Sequence, residues 1–169
     1  MDLVEHARTF AIAAHGDQQY GTEPYVTHLD DVVAVLVEFG HTDPSLKASG
    51  YLHDVVEDTT TTLNDLGSIG FPVDVVYIVH GVTSVPGPNR KTRNTATYPK
   101  IAADIRRIIV KLADRIANSR CGLKTKSGSL YSMYQKEYPA FKSAIYNDNP
   151  VVAPMWAELD RIFGVKNGL

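Results

Sequence analysis

Apolar residues recur at intervals of three and four along most of the chain, and this spacing predicts helices throughout. Leu3, Ala7, Phe10, Ala11 and Ala14 predict a first helix over roughly Asp2 to His15, with Asp2 as its N-cap and Gly16 as its stop. The next stretch, HGDQQYGTEPYVTH, holds two glycines and a proline among polar residues and reads as a surface loop. Leu29, Val32, Val33, Leu36 and Phe39 predict a helix from Thr27 or His28 to Phe39, ended by Gly40. Asp43-Pro44 is an N-cap followed by proline at the first helical position, which starts a third helix expected to run to about Asp58. Thr59 to Thr62 break it, and a short helix over Leu63 to Ile69 follows. The segment from Pro72 to Val82 is rich in β-branched residues, yet no partner strand pattern exists elsewhere, so a helix is expected there too. Helices are then expected over Arg90 to Ala103, from Asp104 to near Cys121, and over Leu130 to Glu137, Pro139 to Tyr146 and Pro154 to Phe163, with Lys124 to Ser129 as a connection. The sum is a single all-α helical bundle occupying residues 1–169.

Composition changes this picture little, but the charge distribution changes it more. A chain of 169 residues supports one domain with a real core. Cys121 has no partner for an internal disulfide, which suits a reducing cytoplasm. The longest apolar run, Val32 to Val37, has six residues, against about 20 for a bilayer span, so no membrane association is expected. A net charge of −2 points to no general nucleic-acid binding. Residues 1–75, however, carry 13 acidic and 2 basic side chains, whereas residues 76–169 carry 6 acidic and 15 basic ones. An acidic half suits a cation and a basic half suits phosphates, although two attractive, solvated halves would show the same counts.

The densest chemistry lies in YLHDVVEDTT, residues 51–60. On one continuous helix His53 and Glu57 share a face, and Asp54 and Asp58 share the next, about 100° round. Crowded carboxylates beside apolar Val55 and Val56 resist desolvation, and a divalent cation is the usual remedy. A second concentration sits on the helix after Asp104, where Lys111, Asp114, Arg115 and Asn118 share one face at helical spacing. Such a face is often a salt-bridged surface, but the apolar context of Asp114 suggests a buried, functional carboxylate.

Three ordered blocks, GTEPYVTHLDDV, YLHDVVEDT and VKLADRIAN, resemble the HD superfamily of metal-dependent phosphohydrolases, and within it the hydrolase domain of the RelA/SpoT group. The resemblance implies that His28, His53, Asp54 and Asp114 hold a divalent metal, with Mn²⁺ as the expected ion. It implies that Glu57 and Asp58 orient and deprotonate the attacking water, and that Asn118 lies near the nucleotide sugar. The expected substrate is a small nucleotide, first of all guanosine 3′,5′-bis(diphosphate), which would lose its 3′-diphosphate. Another nucleotide substrate, or a non-catalytic nucleotide sensor, are the alternatives.

The chain departs from the group at Gln19 and Tyr20, where a basic pair usually follows the HxxQ segment. Tyr20 is the expected substitute for base stacking, and Lys111, Arg115 and Asn118 are expected on the substrate side. Arg90, Lys91 and Arg93 are either phosphate contacts or an exposed basic loop. Tyr131 and Tyr134 are either pocket lining or core. His6, His15, His41 and His80 are expected to be surface, helix-end or otherwise satisfied groups.

Overall fold

The computed structural model describes residues 2–125 and 128–165; Lys126 and Ser127 of the expected connection lie outside the described residues. The elements run α1 (Leu3–His15), β1 (Gln19–Tyr20), β2 (Glu23–Pro24), α2 (Val26–Glu38), α3 (Pro44–Leu52), α4 (Val55–Asp58), α5 (Leu63–Ile69), α6 (Val73–Val82), α7 (Arg90–Ala102), α8 (Ile105–Lys124), α9 (Gly128–Ile145) and α10 (Ala153–Phe163). The all-α expectation holds, with one small hairpin set into it.

Local chemistry accounts for most of the helix starts. Asp2, Asp43 and Asp104 each accept backbone N–H bonds at the expected N-caps, and Thr62 forms a capping box with Asp65. The VDVVYIVHGV segment is helical as expected, because as α6 it buries Val75, Ile78, Val79 and Val82 together on the core side. Packing outweighs its β propensity.

Four expectations need correction. The predicted loop after α1 contains the antiparallel pair β1–β2, with Tyr20 opposite Glu23 across a Gly21–Thr22 turn. Gly21 has φ +64°, which suits the first position of a tight hairpin turn. The helix expected from Pro44 to Asp58 is interrupted at His53 and Asp54, where the Gly50 carbonyl accepts the His53 imidazole N–H at 2.7 Å. The two helices expected around Pro139 are one, α9; Pro139 is exposed, so the carbonyl it leaves without an N–H partner meets water rather than the core. Finally, α8 runs past Cys121 and Gly122 to Lys124.

Two apolar clusters fill the interior. One joins α1, α3 and the start of α6 through Ala7, Ala11, Ala48, Leu52, Val75 and Val79. The other joins α8, α9 and α10 through Ile108, Leu112, Ile116, Phe141, Ile145 and Trp156. Helix α2 serves both, giving Leu29 and Val33 to the first and Val32, Val35 and Leu36 to the second. Close approach of α3 to α2 depends on Gly50, where a Cβ would sit 3.0 Å from Leu36 Cδ1 and 3.2 Å from Val33 Cγ2. That contact brings the end of α3 and the first turn of α2 to the middle of α8. No described helix is long and apolar enough to cross a membrane.

Candidate metal centre and active-site cavity

His28 comes from the first turn of α2, His53 and Asp54 from the break between α3 and α4, and Asp114 from the middle of α8. Ligand atoms of His28, His53 and Asp114 lie within 4.8 Å of one another, and all three residues are buried. Asp54 stands beside them, its Oδ2 3.0 Å from His53 Nε2 and 3.7 Å from His28 Nε2. Both residues keep helical backbone angles, φ −60° at His53 and φ −99° at Asp54, and their side chains converge from adjacent positions. The expected single helix is divided at these two residues, which still place both side chains beside His28 and Asp114.

The chemistry of this cluster asks for a cation. A carbonyl oxygen only accepts, so the bond to Gly50 places a proton on His53 Nδ1 and turns Nε2 toward the carboxylates. Nε2 is buried and makes no hydrogen bond, although it lies 3.0 Å from Asp54 Oδ2 and 3.7 Å from Asp114 Oδ1. In the bare protein a second proton on Nε2 relieves its approach to two anionic oxygens, and a divalent ion would take that proton's place and make the imidazole and carboxylates a donor set. Burial opposes charge on each group, but the neighbours prevail. The Asp54 carboxylate raises the His53 imidazole well above its usual value despite burial. Asp54 and Asp114 are held below the usual carboxylate range, against burial, by His53 and by Lys111 respectively.

Hydrogen bonds from outside the cluster hold its carboxylates. Tyr25 Oη donates to Asp54 Oδ2 at 2.6 Å, Lys111 Nζ donates to Asp114 Oδ2 at 2.8 Å, and Asn118 Nδ2 donates to Asp114 Oδ1. The Tyr25 phenol is raised by burial and then by the Asp54 charge. Lys111 stays charged against burial because Asp114, Asp54 and Glu57 surround it.

The cluster forms one wall of a cavity of about 300 Å³. Glu57 and Asp58 stand at its exposed rim, where Ser84 N donates to Glu57 Oε1 at 2.6 Å and Gln18 Nε2 donates to Asp58 Oδ2 at 3.0 Å. The residues of the basic half also line it: Lys111, Arg115 and Arg90, with Asn118, Asn94 and Tyr134. Acidic and basic halves of the chain thus meet here. Arg115 is 3% exposed, with Nη1 3.3 Å from Glu137 Oε2 and its guanidinium 4.4 Å from the Tyr134 ring and 4.3 Å from the Phe141 ring. Arg90 reaches the same Glu137. Tyr20 joins the cavity wall, stacked on His28.

All ten expected site residues therefore come together in one place, but with altered relations. Lys111 and Arg115, expected on the substrate side, are engaged with Asp114 and with Glu137. Arg90 lines the cavity, whereas Lys91 does not. Tyr134 lines it too, while Tyr131 bonds the Ile162 carbonyl and packs on Phe163. His15 ends α1 as expected and is buried there, whereas His41 is a correction, buried rather than surface or satisfied. His15 bonds Gln18 at 2.9 Å and stacks on Tyr25 at 4.3 Å, so it supports the rim and the Asp54 partner together. His41 has a buried Nε2 without a partner among the described residues. His6 stacks on Phe71 and His80 is exposed, as expected of bystanders. Tyr25, Gln18 and Glu137 were missed. Tyr25 lay inside the GTEPYVTH block, three residues before His28, and a first-turn neighbour of a ligand was the available signal.

The chain belongs to the HD domain family, whose model matches residues 7–136. A probable guanosine-3′,5′-bis(diphosphate) 3′-pyrophosphohydrolase of Synechocystis sp. is 36% identical over 126 residues, which are 70% of this chain and 16% of that protein. A protein of the same activity name from Aquifex aeolicus is 35% identical over 120 residues, 68% of this chain and 17% of its own length. The chain thus spans about a sixth of the length of these curated relatives. Among solved structures, a metazoan ortholog of SpoT, described as hydrolysing ppGpp with a role in starvation responses, superposes with TM-score 0.82 at 26% identity, covering 100% of this chain and 98% of the other.

Proposed function

We propose that the chain is a metal-dependent phosphohydrolase that removes the 3′-diphosphate of guanosine 3′,5′-bis(diphosphate), with residues 1–169 acting as one cytoplasmic hydrolase domain. The observation that carries this is the convergence of His28, His53, Asp54 and Asp114 beside a cavity with carboxylates at one rim and cations along its wall. The activity names of the Synechocystis and Aquifex relatives, and that of the metazoan SpoT ortholog, support the substrate.

His28, His53, Asp54 and Asp114 would hold the cation, and two imidazoles with two carboxylates suit Mn²⁺ better than a thiolate-rich structural zinc site does. The bound ion would supply Lewis acidity at the scissile phosphate and ease deprotonation of the attacking water. Tyr25, Lys111 and Asn118 fix the carboxylates in the direction the ion needs. Glu57 and Asp58 each engage one oxygen with Ser84 N or Gln18, and one of the pair takes the proton from the water. Lys111, Arg115 and Arg90 give the opposite wall a positive field for the phosphates, while Asn118 and Tyr20 border the nucleoside. Gln19 and Tyr20, in place of a basic pair, favour a second reading in which the same site takes another nucleotide.

The test is turnover of a nucleotide panel by Mn²⁺-loaded protein. Diphosphate release from guanosine 3′,5′-bis(diphosphate) is expected, lost on chelation and lowered about 10²-fold or more by Glu57→Gln with Mn²⁺ binding retained. Turnover of a different nucleotide alone selects the second reading, and no turnover of any nucleotide by Mn²⁺-bound protein rejects both.

A further inference from the structure

We propose that Tyr20 is a positioning residue of the metal site, acting through its hydroxyl on Asn118 and through its ring on His28. The inference rests on the hydrolase reading above, and it assigns Tyr20 work that base stacking does not require.

Three contacts carry it. The Tyr20 ring lies 4.7 Å from the His28 ring with an interplanar angle of 21°, so one aromatic face is already occupied by a ligand imidazole. Tyr20 Oη donates to Asn118 Oδ1 at 2.6 Å. Asn118 Nδ2 in turn donates to Asp114 Oδ1, the same oxygen that lies 3.5 Å from His28 Nε2 and 3.7 Å from His53 Nε2. The direction of this relay is fixed by chemistry. An ionised carboxylate only accepts, so the Asn118 amide nitrogen must face Asp114 and its carbonyl oxygen must face Tyr20, which then donates.

The relay acts on one ligand oxygen and one ligand ring at once. Asn118 is 7% exposed, so without the phenol its Oδ1 is left buried and unpaired, and the amide gains reason to turn away from Asp114. The hairpin supplies the geometry: Gly21, with φ +64°, turns the chain directly after Tyr20 and holds the ring over the first turn of α2. Tyr20 also lines the neighbouring cavity of about 790 Å³ and so stands between it and the metal wall.

The test compares Tyr20→Phe, which keeps the ring and removes the hydroxyl, with Asn118→Ala and the double variant. Mn²⁺ affinity is measured by calorimetry on the metal-free proteins, beside kcat and KM. Tyr20→Phe is expected to weaken Mn²⁺ binding about tenfold and lower kcat with KM unchanged, the scale on which partners of metal ligands act. Added to Asn118→Ala, it should weaken binding no further. Mn²⁺ affinity within twofold of wild type in Tyr20→Phe, or additive losses in the double variant, overturns the proposal. Calorimetry needs no turnover, so a wild-type protein inert toward nucleotides rejects the hydrolase reading without touching this result.

Discussion

Replacing Arg115 by methionine separates a structural use of this side chain from a substrate-binding one. Its guanidinium is 3% exposed, lies 4.4 Å and 4.3 Å from the Tyr134 and Phe141 ring centroids, and pairs with Glu137 at 3.3 Å. Two desolvated cation–π contacts are worth about 2 kcal/mol together. Breaking a buried pair outright costs about 3–5 kcal/mol, but Glu137 keeps Arg90, so a loss of about 1 kcal/mol is the better figure here. Methionine fills much of the same volume and recovers apolar contact, leaving a net destabilisation of about 2–3 kcal/mol. At roughly 2–4 °C per kcal/mol for a chain of this size, Tm should fall by about 4–12 °C. Thermal and urea unfolding in chelator measure this without a metal contribution, and kinetics on folded protein then give KM. A Tm within about 2 °C of wild type with KM raised tenfold would refute the argument and show that Arg115 serves the substrate directly.

Gln18→Leu removes the 3.0 Å donor to Asp58, and kcat should fall about tenfold with Mn²⁺ affinity unchanged; an unchanged kcat would free Asp58 from that bond. His41 titrates in the opposite sense from His53. Burial lowers its pKa, so the unfolded chain, with a value of about 6.5, takes up the proton more readily. The stability this group contributes is full above about pH 6.5 and is lost as pH falls below it. Wild type should therefore lose more of its urea midpoint between about pH 7.5 and pH 5.5 than His41→Leu does, and equal losses would show that His41 is not the group responsible.

Helix content was legible because apolar spacing and caps agree along most of the chain, and even α6, β-branched throughout, became helical because its apolar stripe fits the groove beside α3 and α8. What spacing alone does not reveal is where a side chain replaces a backbone bond. The break at His53 is of that kind: an imidazole N–H takes the Gly50 carbonyl, the helix is interrupted, and Asp54 Oδ2 lies beside His53 Nε2. The ligand candidates were legible as residue types in ordered blocks, yet their partners were not, since a tyrosine or glutamine carries no period that marks it as a donor. Tyr25 and Gln18 become meaningful only once α1, the hairpin and the α3–α4 break share one space. The same reasoning applies to Lys111 and Arg115, whose spacing alone does not tell a salt-bridged surface from a substrate wall. Both lie on the face expected from α8, but whether a cation is free depends on what faces it, and Glu137 arrives from α9, 22 residues away from Arg115. Sequence thus reaches the candidate ligands of a site, and its electrostatics come only from the packing that brings counter-charges across.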